Sequence, residues 1–341
     1  MNIYFHHSYN LDLLNMLDIL IDDQLGEHYR QEYAEFGQAL SAEARNVLVE
    51  VSAALGGIQI SPLISFALSV IPQFEKAPLV DLLLDQEGFQ DAIQQNEPRL
   101  MAQKDQLTLL FQVLAPVVRE IELLGFREYW TSEYLSTLED EVVQLEDFIL
   151  HTPVVIVLQD LLTEQFLPEE MHVYVCALND GKGVRLTGHN AITDFSFTPL
   201  NALDFSTHEM IKDALGKQIP DSLSESLTTD KFIHLGFEKS KSITGLTTIE
   251  AYIRENLVEA IKVYLLFKAG LMPEPINYLQ TYKQGVFVLA VILLDLFYWN
   301  DPSNRPFKTI YEEWLQTNSD RPMMELYKES LERAGISIGE R

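Results

Sequence analysis

Apolar residues recur three and four positions apart through most of the chain. From Leu11 to Leu25, Tyr29 to Phe36, Ala42 to Leu55 and Ser61 to Val70 this spacing predicts helices, with Ser41 and Ser61 as N-caps and Gly56-Gly57 as a break. Two longer patterns, Arg99 to Leu124 and Glu128 to Leu150, flank Gly125, and Pro116 predicts a kink in the first. The period changes after Leu167. Met171 to Leu178 is rich in β-branched and aromatic residues, Asn179-Asp180-Gly181 is a turn signal, and Val184 to Thr187 reads as the return strand of a hairpin. Ala191 to Phe197 is a candidate third strand, and Asn2 to His6 a short edge strand. Helical spacing resumes from Asn201 to Gly216, where Asp204, Ser206 and Thr207 offer capping oxygens and Gly216 with Pro220 supplies a stop. Lys231 to Ser242 reads as irregular. Thr248 to Lys268 is apolar around most of its circumference, which predicts a buried helix, as does the run Val286 to Leu294. The expected fold class is α+β, predominantly helical, with residues 1–216 carrying the sheet and 217–341 forming a helical C-terminal lobe.

Composition narrows the function classes. A chain of 341 residues with 47% hydrophobic content can bury a large core in one domain or two lobes. The formal charge of -27 opposes binding to nucleic acid or to an anionic membrane. The single cysteine, Cys176, rules out an intrachain disulfide framework and a cysteine-rich zinc site, and the expected location is the cytoplasm. The N-terminus lacks a basic leader. The longest apolar run, Val286 to Leu294, is broken by Asp295 and is too short to span a bilayer.

Candidate chemistry lies in the Asn201 to Gly216 helix. His-Glu-x-x-His on a helix places two imidazoles one turn apart to bind zinc, with the glutamate positioned to activate the bound water. His208 and Glu209 match, but Lys212 stands where the second histidine belongs. By helical spacing Leu203, Thr207, Met210 and Ala214 form one stripe, while Asp204, His208, Lys212 and Leu215 form another. Glu255 and Glu259, one turn apart on the apolar Thr248 helix, repel each other unless a cation lies opposite, either a zinc ion or the Lys212 ammonium. The other histidines lack ligand spacing: His6 and His7 are adjacent on a strand, His172 and His189 read as structural or surface residues, and His234 is unassigned. Gly181-Lys182-Gly183 reads as a hairpin turn rather than a phosphate loop. Tyr298, Trp299 and Trp314 are candidates for a peptide groove, with core packing the simpler reading.

The segments LDLLNMLDIL, the sheet from Met171, STHEMIKDAL, YIRENLVEAI, QGVFVLAVILLDLFYW and NRPFKTIYEEWL together resemble a family of bacterial zinc peptidases of the gluzincin type. The resemblance implies a zincin-like fold, in which a small sheet precedes the His-Glu helix and a later helix supplies the third ligand. It also implies His208 as first zinc ligand, Glu209 as general base, and Glu255 as third ligand with Glu259 as alternate.

Three readings follow. In the preferred one, the protein is a catalytically silent relative without a cofactor, in which Lys212 takes the metal's place against Glu255 or Glu259. A peptide or protein segment would then bind along the cleft. In the second, it is an active zinc hydrolase that recruits Asp213 or His234 as the missing ligand. In the third, it is an acidic helical interaction protein with no metal site.

Overall fold

The structure, a computed structural model, describes residues 1–162, 167–219, 225, 227–300, 305 and 307–336. It is mostly helical with one small four-stranded sheet, as the α+β reading expects. The chain divides into two compact units. One comprises Ile3–Phe148 and Glu170–Ser206, and the other comprises Met1–Asn2, Ile149–Glu169 and Thr207–Arg341.

The first unit is built around helix α1, Tyr9–Ile19, which is buried on every side from Asn10 onward. Two acidic residues lie inside it, and both are satisfied by groups distant in sequence. Asp12 accepts from Trp130 Nε1 at 2.8 Å, from Leu178 N at 2.8 Å and from Ala177 N at 3.2 Å. Asp18 accepts from Ile60 N at 2.6 Å and Ser61 N at 3.0 Å, at the start of helix α2, Ile60–Leu68. Ser61 is therefore not the cap of that helix. Its hydroxyl donates to Asp18, whose carboxylate fills the capping role from another element. Ser41, by contrast, caps Ala42–Ala54 as its position predicts, accepting from Ala44 N at 3.1 Å. Helix α3, Lys104–Leu123, packs beside α1 and ends at Gly125, whose φ of 90° requires the left-handed region that glycine tolerates.

The sheet corrects the hairpin expectation. Its order is β1-β2-β4-β3, with β1 at Asn2–His7, β2 at Glu170–Cys176, β3 at Val184–Arg185 and β4 at Ala191–Asp194. β4 pairs in parallel with β2, from Val173 opposite Ala191 to Cys176 opposite Asp194. β3 pairs antiparallel with β4 instead of with β2. All four residues of β4 are buried, which favours the position between two strands over an edge.

Helix α4 spans Pro199–Gln218, with Thr207 onward in the second unit, so it begins earlier and ends later than its sequence signals predict. Thr198 Oγ1 accepts from Asn201 N at 3.2 Å, whereas Asp204, Ser206 and Thr207 lie inside the helix, past its N-terminus; Ser206 donates to the Ala202 carbonyl. The proposed stop at Pro220 lies outside the described residues. Lys231–Thr244 is helix α5 rather than irregular chain, opened by Asp230, which accepts from Phe232 N and Ile233 N. The unit's core helix is α6, Ile249–Lys268, capped by Thr248 Oγ1 on Ala251 N. It packs chiefly on α7, Val288–Asn300. Two polar links fix that pair: Asn256 Oδ1 accepts from Ala290 N at 3.0 Å, and the Tyr252 hydroxyl donates to the Val286 carbonyl at 2.6 Å. A Cβ at Gly236 of α5 would collide with the Tyr252 hydroxyl, so only glycine allows this approach.

Candidate metal centre

The predicted stripe of α4 is correct. Leu203, Thr207, Met210 and Ala214 are all buried, while on the second stripe Asp204 and His208 are half-buried and Lys212 is exposed. His208 meets α6. Its Nε2 lies 3.3 Å from Glu255 Oε1 and its Nδ1 lies 3.8 Å from Glu259 Oε1. The helical repeat carries Glu255 and Glu259 to the same side of α6, one turn apart, so that they hold the imidazole between them. Glu259 is almost completely enclosed.

The cation opposite Glu259 is Lys262, a residue the sequence reading passed over. Its Nζ lies 3.0 Å from Oε1 and 2.9 Å from Oε2 of Glu259, and both side chains are excluded from solvent. A charge pair in such surroundings persists only because each member neutralises the other. The signal was present in the sequence: Glu259 and Lys262 are three residues apart on a helix that is otherwise apolar all round. The Lys262 ammonium also lies 5.4 Å above the Tyr282 ring.

Electrostatics follow from this crowding. Burial, reinforced by the ammonium groups of Lys262, Lys212 and Lys283, lowers the His208 pKa to about 3, so the imidazole is neutral at ordinary pH. Burial and the neighbouring Glu259 push the Glu255 carboxyl upward, opposed by the same three lysines. Lys212 thus acts on both groups, as expected of a cation one turn from His208, although it is exposed.

His208, Glu255 and Glu259 each offer a ligand atom within 4.8 Å of the others, and such a group could hold a metal ion. The set, a neutral imidazole and two carboxylates, is one that divalent metal ions accept. The 3.3 Å between His208 Nε2 and Glu255 matches the ligand spacing of about 3.3 Å implied by tetrahedral zinc bonds. Glu259 departs from that pattern, because it approaches the other ring nitrogen and both its oxygens face Lys262. An ion held by all three residues would share the Glu259 carboxylate with that ammonium. Neither Asp213 nor His234 joins the group among the described residues; His234 Nε2 lies 2.5 Å from the Thr228 carbonyl. The side chain of Glu209 lies outside the described residues.

A cavity of about 220 Å³ adjoins the cluster, lined by Lys212, Arg254 and Glu255 and by apolar residues including Leu215, Leu246 and Val258. Of the aromatic residues flagged in the sequence, Trp314 is core, whereas Tyr298 and Trp299 are exposed and line a separate cavity of about 680 Å³. No protein-family model matches the chain, and neither curated proteins nor solved structures include a significant match.

Proposed function

We propose that this is a metallopeptidase-like protein, zincin-like in plan, whose His208–Glu255–Glu259 centre works without a metal and whose adjoining cleft binds a peptide or protein segment. The observation that carries this reading is the enclosed Lys262 ammonium on both oxygens of Glu259, beside a histidine 3.3 Å from Glu255. Lysines supply the positive charge that the two carboxylates need: Lys262 from within α6, and Lys212 from the position of the second histidine. A dication added to three neighbouring ammonium groups would meet their repulsion. The cavity beside Glu255 is lined by apolar side chains together with Lys212 and Arg254, which suits an apolar side chain followed by a carbonyl or carboxylate.

If zinc did bind, His208, Glu255 and Glu259 would hold it, and it would supply a water activated at neutral pH. The deciding experiment is metal analysis of the purified full-length protein beside His208→Ala and Lys212→His. The expected result is no zinc dependent on His208 in the wild type, with stoichiometric zinc gained in Lys212→His. One equivalent of zinc in the wild type that disappears in His208→Ala would overturn the metal-free reading.

A further inference from the structure

In the first unit, two histidines from different strands meet. β1 and β2 are neighbours in the sheet, and His6 Nε2 lies 2.9 Å from His172 Nδ1. The rings meet edge to edge, with centroids 5.1 Å apart and planes 25° from parallel. Tyr4 stacks on His172 at 5.4 Å and Tyr174 lies 5.5 Å from His6, so aromatic neighbours hold both rings in place. Asn190 Oδ1 further pins the strand by accepting from His172 N at 3.0 Å.

At this distance one nitrogen carries a proton and the other offers it a lone pair. A metal ion can take the place of that proton once the donor ring shifts it to its other nitrogen. Two donors on a tetrahedral ion lie about 3.3 Å apart, so the rings need to part by only a few tenths of an ångström. Negative charge is already arranged around the pair. Glu170 Oε2 lies 3.8 Å from the outer nitrogen of His172, too far for a hydrogen bond but on the side where a carboxylate that closes in would orient a metal-bound imidazole. Glu75 acts electrostatically on His6, and its buried Oε2 has no hydrogen-bond partner among the described residues. His172 is one-third exposed, which leaves an entry path and room for water ligands.

We propose that His6 Nε2 and His172 Nδ1 form a binding site for a late first-row divalent metal ion, with water completing the coordination and the donor ring shifting its proton to its other nitrogen, so that both imidazoles bind in the neutral form. The stability order of divalent ions places copper(II) ahead of zinc at such an imidazole pair. This site is separate from the His208 cluster and does not depend on how that cluster is read.

The test uses metal-free, full-length protein titrated with copper(II) alone and with zinc alone, followed by calorimetry and by electron paramagnetic resonance of the copper form. One equivalent of copper should show nitrogen couplings from two imidazoles. His6→Gln or His172→Gln should weaken binding by no less than the roughly tenfold that loss of an outer-shell partner alone causes. His208→Gln should leave the signal unchanged, which separates this site from the α4–α6 cluster. Unchanged affinity and couplings in His172→Gln, or no binding by the wild type, would overturn the proposal. If both glutamine variants fail to fold, the wild-type spectrum decides: coupling to fewer than two nitrogens counts against the site.

Discussion

Two enclosed helices, α1 in the first unit and α6 in the second, both carry acidic residues inside the protein and satisfy them by opposite means. The carboxylates of α1 are met by neutral donors: Asp12 by an indole and two backbone amides, Asp18 by two amides and a hydroxyl. On α6, Glu259 is met by the Lys262 ammonium, while Glu255 faces an imidazole beside a cavity. Donors fixed in the backbone tie distant segments together and leave nothing for a ligand. Ionisable partners next to open space leave charge and protons available for exchange. Burial of an acid is therefore a poor guide to function until its partners are known.

The largest expected effect tests the charged side of that contrast. Lys262→Met leaves Glu259 enclosed without its cation and should destabilise the protein by about 3–5 kcal/mol in urea unfolding. Adding Glu259→Gln should recover much of that loss; no recovery would mean that the two groups do not act as a pair.

Asp12 tests the neutral side through pH. Burial raises its pKa from 3.8 to about 6, so the folded state favours the protonated form. Its contribution is complete below the unfolded-state value and is lost as pH rises through about 6. The change is on the order of 2–3 kcal/mol. Asp12→Asn should flatten stability measured across that window, and an unchanged slope would assign it to other carboxyls. Asp18→Ala removes the shared acceptor of Ile60, Ser61 and the Ser61 hydroxyl, and should cost about 2 kcal/mol by the same unfolding measurement.

The smallest effect is spectroscopic. With its pKa lowered to about 3, His208 should keep the ring nitrogen shifts of a neutral imidazole down through mildly acidic pH. A protonated ring at pH 6 would show that Glu255 and Glu259 outweigh burial and the three lysines.

The amino-acid sequence by itself determined the helical periodicity, the buried stripe of α4 and the burial of most of the circumference of α6, because each depends on spacing within one segment. It also located the strands, though not their order. A turn signal at Asn179-Asp180-Gly181 says that the chain reverses but not which strand it will pair with, and burial placed β4 between β2 and β3. Capping failed similarly at Ser61, where the carboxylate of Asp18, 43 residues earlier, outcompetes the local hydroxyl. Tertiary structure alone made Lys262 the partner of Glu259, set two carboxylates on opposite nitrogens of one ring, and brought His6 to His172 across 166 residues. Local patterns report which face of an element is apolar. Which charge meets which depends on how those faces pack, and that energy resides in contacts between segments that share no pattern.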